Sequence, residues 1–245
     1  LKNNKNNIIK FYPFSEDTMH FTPAPSPATR FLPEWYKRQS STVEEKEGLA
    51  NGMFNGTIKK CMPIFDMMTA GYMLTFPMDV YMDATDPEKL SYTVPAPMKQ
   101  YGNDMFSTHA PLQYDQYPND LSVFHKQLFR LMPFYSIKTP PGYSVLVIAP
   151  QHSDEIPFKS VSGLIDTDHF ISDGHFSMFI KKDFKGVIRQ GTPFAQVIPI
   201  RREDWSMEIV DSKTSGDEIK KQRLQVRSTF KNGYKDKYRQ RKEFK

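Results

Sequence analysis

From Tyr135 to Ile200 the sequence alternates short, β-branched apolar runs with single glycines, and this rhythm constrains the fold more than any other feature of the chain. Ser144–Ala149, Val161–Ile165, His175–Lys181 and Phe194–Ile200 each have the length and residue types of a strand. Gly142, Gly163, Gly174, Gly186 and Gly191 punctuate them at turn-like intervals, and Pro140-Pro141-Gly142-Tyr143 reads as a turn. Nineteen prolines against twelve glycines argue against a helix bundle, because each proline removes a helical hydrogen bond. The prediction is a mostly β protein, a compact barrel or sandwich.

The remaining sequence bounds what such a protein can be. A chain of 245 residues, 38% hydrophobic, has enough apolar material for one large domain or two small ones. Its longest apolar runs, such as Val145–Pro150, fall far short of the ~20 residues that cross a bilayer, so no membrane partner is expected. The polar start, Leu1-Lys2-Asn3-Asn4-Lys5, lacks the ~7–15-residue apolar segment of a secretory signal. An intracellular or intravirion location is expected, unless a leader has been removed. A single cysteine, Cys61, excludes an internal disulfide and is expected to be a buried free thiol.

Composition divides the chain into three parts. Residues 1–55 are a Pro/aromatic-rich arm, with Pro13, Pro23, Pro25, Pro27 and Pro33 spaced between aromatics. Within it, Leu32-Pro33-Glu34-Trp35-Tyr36-Lys37 can open a short helix with Pro33 in its first turn. Trp35 and Tyr36 either cover the domain's own core or clasp a neighbouring subunit. Residues 56–210 form the β domain, with Thr57–Cys61 and Gly71–Met82 as strands and a loop-rich insertion at about 93–120. Ser122–Met132 fits a short helix or a strand equally well.

Residues 211–245 are a basic tail. From Lys213 to Lys245 there are twelve Lys and Arg against four acids, a net of +8, whereas the whole chain carries only +5. Phe230, Tyr234 and Tyr238 recur every four residues among cations, which describes a basic helix with an aromatic stripe, weakened at Asn232-Gly233. Such a helix is merely solvated, binds nucleic acid, or docks on an acidic partner protein. The aromatic stripe favours docking on a protein.

Four segments, taken in order, resemble the motifs of one family. Ala70-Gly71-Tyr72-Met73-Leu74 resembles the first dUTPase motif, and Ile148-Ala149-Pro150-Gln151-His152-Ser153 occupies the place of the second. Gly163-Leu164-Ile165-Asp166-Thr167-Asp168-His169 is similar to the third, and Gly191-Thr192-Pro193-Phe194-Ala195-Gln196-Val197-Ile198 to the fourth. The resemblance covers roughly residues 57–200. It implies the dUTPase-like β-clip or jelly-roll barrel of the dUTPase and dCTP deaminase superfamily, usually a homotrimer. The arm around Leu32–Lys37 and the run Thr57–Asp66 also resemble an uncharacterised family encoded mainly by marine and cyanobacterial phages. That resemblance implies a location in a host cytoplasm or a virion.

By the same resemblance Asp166 takes the position of the carboxylate that orients the attacking water, a general base. Ser153, Asp168, His169 and Gln196 fall at substrate-binding positions. Several family features are missing. Met73 replaces the first motif's acid, and a thioether is a poor ligand for a hard cation such as Mg²⁺. Gln151-His152 stands where a phosphate-holding arginine belongs, and the glycine-rich fifth motif gives way to the basic tail. Losing the metal carboxylate, phosphate clamp and lid together removes most of the electrostatic stabilisation phosphoryl chemistry needs.

The expectation is therefore a non-catalytic oligomer that works by binding, needs no cofactor, and uses Trp35, Tyr36, Phe230, Tyr234 and Tyr238 on its partners. The alternative is a divergent Mg²⁺-dependent pyrophosphohydrolase with Asp166 as base. Asp166, Asp168, His169, Asp173 and His175 are the densest set of possible metal ligands, but alternation on a strand parts Asp166 and Asp168 from His169, so turn chemistry is the preferred reading.

Overall fold

The computed structural model describes residues 7–43, 56–95, 105–114, 116–117, 120, 122–171, 174–228 and 233–245. The chain is mostly β, with antiparallel sheets and a C-terminal helix. It divides into two units: residues 1–31 with 71–202, and residues 32–70 with 203–245.

The first unit begins with β1 (Lys10–Pro13), α1 (Glu16–Phe21) and β2 (Ser26–Pro27). It continues with β3 (Tyr72–Thr75), β4 (Val80–Asp83), β5 (Ser91–Thr93), β6 (Phe106–Thr108), β7 (Phe124–Leu131), β8 (Tyr135–Lys138) and β9 (Tyr143–Ile148). Then follow β10 (Phe158–Ser160), β11 (Gly163–Ile165), β12 (Phe176–Lys181), β13 (Lys185–Ile188) and β14 (Pro193–Arg201). A five-stranded sheet runs β11-β9-β14-β3-β2 and a four-stranded sheet β10-β12-β7-β6. Three strands, β13-β4-β5, and the pair β1-β8 complete the unit. Every pairing is antiparallel.

One apolar core joins these sheets. Phe194 on β14 meets Phe176 on β12 with ring centroids 5.5 Å apart, and buried Phe76 touches both Phe194 (5.8 Å) and Phe158 on β10 (5.2 Å). Alternation decides which side chains enter it: on β12, Phe176, Met178 and Ile180 point inward on one face. Gly71 shapes the start of β3. It has φ +69°, and a Cβ there would lie 2.0 Å from the Val197 carbonyl oxygen, so only glycine lets β3 reach β14.

The second unit contains α2 (Glu34–Arg38), a 3₁₀ turn at Ile58–Lys60, α3 (Met62–Thr69), α4 (Ser212–Ser228) and α5 (Gly233–Lys237). The expected strand at Thr57–Cys61 is not formed. The Thr57 hydroxyl accepts the Lys59 N–H and caps the 3₁₀ turn, and Pro63, in the first turn of α3, prefers a helix start to a ladder that needs its missing N–H. Cys61 between them is half-buried and free, not fully buried as expected.

Other differences are smaller. Gly71–Met82 is two strands, interrupted at Phe76-Pro77. Ser122–Met132 resolves to the strand β7, whose outer neighbours β6 and β12 fix its register. Among the described residues the basic tail holds two helices, α4 and α5. Its acids Asp217 and Glu218 lie in the second turn of α4. Among the described residues no helix is long and apolar enough to cross a membrane.

Candidate functional site

The third-motif segment does build a polar cluster, at one end of the five-stranded sheet. β11 pairs with β9 so that Ile165 faces Val145, and the chain leaves the sheet at Asp166 beside Ser144. The loop then turns on itself, with the His169 and Phe170 N–H groups both donating to the Asp166 carbonyl at 3.0 and 2.9 Å. Thr167 is buried beneath it, its hydroxyl 2.7 Å from that of Thr139. Across the cluster β14 ends in register with the start of β9, Arg201 opposite Tyr143, so Arg202 arrives at the same place.

Arg202 organises the cluster. Its Nη1 donates to Asp168 Oδ1 at 2.8 Å and its Nη2 to Asp168 Oδ2, a bidentate pair. Nη1 also reaches the Tyr143 carbonyl (3.1 Å), Ser144 Oγ (3.0 Å) and Asp166 Oδ1 (3.4 Å). Gly142, at φ +82°, donates its N–H to Asp168 Oδ2 at 2.8 Å and accepts the Arg202 N–H on its carbonyl. The Asp168 side chain is almost wholly enclosed, and the Arg202 hydrogen bonds hold its carboxyl well below the usual carboxylate range. Arg202 in turn is raised, chiefly by the same bonds.

Asp166 is placed differently. Its side chain is 62% exposed, and Oδ1 accepts a hydrogen bond from Ser144 Oγ at 2.6 Å. The exposed His169 ring has Nε2 3.7 Å from Asp168 Oδ2. The structure thus brings Asp166, Asp168 and His169 together, with Arg202 as the member that sequence reasoning missed. Arg202's only local signal is a cation directly after a strand; its role comes from the β9–β14 register.

The other residues named from sequence lie elsewhere. Ser153 lies beyond the far end of β9, which is about 13 Å of strand away from Ser144 and Asp166, and its hydroxyl donates to the Gln151 carbonyl at 3.4 Å. Gln196 is wholly buried in β14, opposite Met73 and Ile148. His175 acts on His109, which burial holds below its ordinary value with help from the charges of Arg130 and His175. Asp173 and Phe230 lie outside the described residues. Among the described residues no three His, Cys, Asp or Glu side chains gather as a metal set. The position that the resemblance assigns to a Mg²⁺ assembly does not fit it: Met73 offers a soft sulfur buried within β3.

In the second unit Tyr36 is buried against Phe65 and donates its hydroxyl to the Lys59 carbonyl at 3.2 Å, while Trp35 is partly exposed beside it. Tyr234 is exposed, and Tyr238 donates to Gln225 of α4 at 2.6 Å. Arg239 and Lys242 grip Asp66 of α3 at 2.5 and 3.0 Å, so part of the tail's charge is neutralised within its own unit. A run of highly exposed apolar side chains precedes α4. Trp205, Met207 and Ile209 are 85%, 88% and 88% exposed along a stretch that is neither helix nor strand, and among the described residues no hydrogen bond holds Asp204–Val210.

Three solved structures, all of phage dUTPases, resemble the chain. Two are of the dUTPase from phage phi11 of S. aureus, one a mutant that displays a structural Mg(II) ion and one that displays a species-specific insert. Each is 11% identical with a TM-score of 0.36, over 84% of this chain and 97% of the other. The third is a mutant dUTPase of Staphylococcus bacteriophage 80alpha with dUpNHpp, at the same identity and TM-score over 84% of this chain and 89% of the other. No protein-family profile and no curated protein matches the chain.

Proposed function

We propose that the protein acts by association and not by catalysis, as a dUTPase-like component of a homo-oligomer, phage-encoded and working in the virion or the host cytoplasm. The observation that carries this reading is the exposed alternation of Trp205, Met207 and Ile209. Alternate residues of an extended segment share one face, and burying three large apolar side chains is worth about 1.5–3 kcal/mol each. The same chain carries an acceptor of matching kind. β11 is a three-residue open edge bearing exposed Leu164, with exposed Phe170 and Ile171 just beyond. Strand addition to that edge on a second copy gives the segment both backbone partners and an apolar surface.

The third-motif cluster supports the same reading. A catalytic carboxylate pair needs room for substrate phosphates or a cation, whereas here a guanidinium of the same chain takes that place against Asp168 and reaches Asp166. The geometry suits a fastener between β9, β11 and β14. The exposed basic face of α4, with Lys220, Lys221 and Arg223, would add a docking surface for an acidic partner protein.

Light scattering on the full chain tests the association. The expected result is an oligomer that becomes a monomer when Trp205, Met207 and Ile209 are all replaced by Ser; a monomeric wild-type chain overturns it. One observation favours the alternative hydrolase, namely that Asp166 is exposed, with one carboxylate oxygen oriented by the Ser144 hydroxyl. Incubation with a dNTP panel and Mg²⁺ or Mn²⁺ decides between them, since pyrophosphate release that disappears in Asp166→Asn would reinstate catalysis.

A further inference from the structure

The second unit carries an open cavity of about 570 Å³ that no motif foretold. Four pieces of chain far apart in sequence converge on it: α2 through Lys37, the 3₁₀ turn through Lys59, α3 through Phe65, and α5 with the residues after it through Lys235 and Arg239. Phe65 gives it an apolar wall backed by buried Tyr36, the two rings 30° apart with centroids at 6.0 Å.

Its charge is one-sided. Glu34 balances Lys37 at 2.6 Å, and Asp66 balances Arg239 and Lys242. Lys59 donates to the Lys37 carbonyl at 3.0 Å, and among the described residues no carboxylate pairs with Lys59 or Lys235. The cations also lie on the rings: Lys59 Nζ is 5.8 Å from the centre of Tyr36, and the Arg239 guanidinium 5.5 Å from that of Phe65. A ring with a cation on it and free cations at its rim favour a ligand that has a flat π face and an anionic group together.

We infer that this cavity binds a mononucleotide, its base on the Arg239-covered side of Phe65 and its phosphate between Lys59 and Lys235. The volume suits a ligand of that size, since small-molecule pockets run from about 300 to 1,000 Å³. A bare phosphate would leave the aromatic wall unused, and an apolar ligand would leave the cations unmatched. This inference is independent of the association proposed above, because every residue it uses lies outside the third-motif cluster and the Trp205–Ile209 stretch.

Calorimetric titration of the full chain with AMP, GMP, CMP, UMP and ATP tests it, with inorganic phosphate and a single-stranded 12-mer as comparison probes. Binding of at least one mononucleotide, tighter than inorganic phosphate and weakened by salt, is expected. Lys235→Ala, on the exposed side of a short helix, should weaken it about fivefold, and Phe65→Leu about tenfold, in line with the loss of a charge-assisted contact and a ring contact. Lys89→Ala, in the first unit, should leave it unchanged. Absence of mononucleotide binding, equal binding of phosphate alone, or binding of the 12-mer only would each overturn the assignment. So would mononucleotide affinity unmoved by both Lys235→Ala and Phe65→Leu in folded protein.

Discussion

Arg202 and Asp168 form a fork-to-fork pair that ties the end of β14 to the loop after β11, with the Gly142 N–H completing the hold on the carboxylate. The first prediction concerns how this pair responds to pH. A carboxyl whose folded value is depressed contributes stability that is present above its unfolded value near 3.9 and is lost as pH falls through the folded value. Arg202→Gln should therefore lower the urea midpoint at pH 7, and its deficit against wild type should shrink steadily below about pH 4. Parallel urea melts at pH 7, 4 and 2.5 measure this; a gap that persists unchanged into acid refutes it.

Gly71 gives the second. A methyl group added there must displace the Val197 backbone, which β14 shares with both β3 and β9, and the residue must hold φ +69° as well. Gly71→Ala should cost about 3 kcal/mol or more, or prevent folding. Gly163→Ala, where nothing lies within 4 Å of the added atom, should be near neutral and serves as its control.

A third follows from the ring cluster at the centre of the first unit. Phe76→Ala removes a fully buried ring that touches Phe158 and Phe194, so a loss of about 3–5 kcal/mol is expected in chemical unfolding. Phe76→Leu should recover more than half of it.

The fourth is a titration. The side-chain hydrogen bond from Lys185, with those from the Thr85 hydroxyl and N–H, lowers Asp83 to about 2. NMR of the Asp83 carboxyl should find that value in the wild type and move it toward the ordinary range in Lys185→Gln. An Asp83 that titrates near 4 in both proteins would contradict the geometry.

Local pattern carried the β half of the fold into the sequence. The strands expected between Tyr135 and Ile200 are present within a few residues, because β-branched alternation and the positive-φ glycines Gly142 and Gly191 act over short distances. Thr57–Cys61 misled for the opposite reason: a short run opening on β-branched Thr57 and Ile58 read as a strand, while the hydroxyl cap and Pro63 favour helical turns. The cluster around Asp166 was half legible. Asp166, Asp168 and His169 lie within four residues, but Arg202 joins them only through a strand register spanning some sixty residues of chain. The Trp205, Met207 and Ile209 alternation was open to view, since period-two spacing needs no tertiary information. The cavity beside Phe65 was not, because its walls come from segments that nothing in the sequence pairs.

The second unit is stitched from residues 32–70 and 203–245, with all of β3 to β14 encoded between them. As a ribosome makes the chain, Asp66 emerges long before Arg239, its partner. The early half must therefore wait, with Asp66 unpaired and Phe65 lacking the Arg239 guanidinium, while the intervening sheets collapse. A chaperone visiting the nascent polypeptide would find its target there.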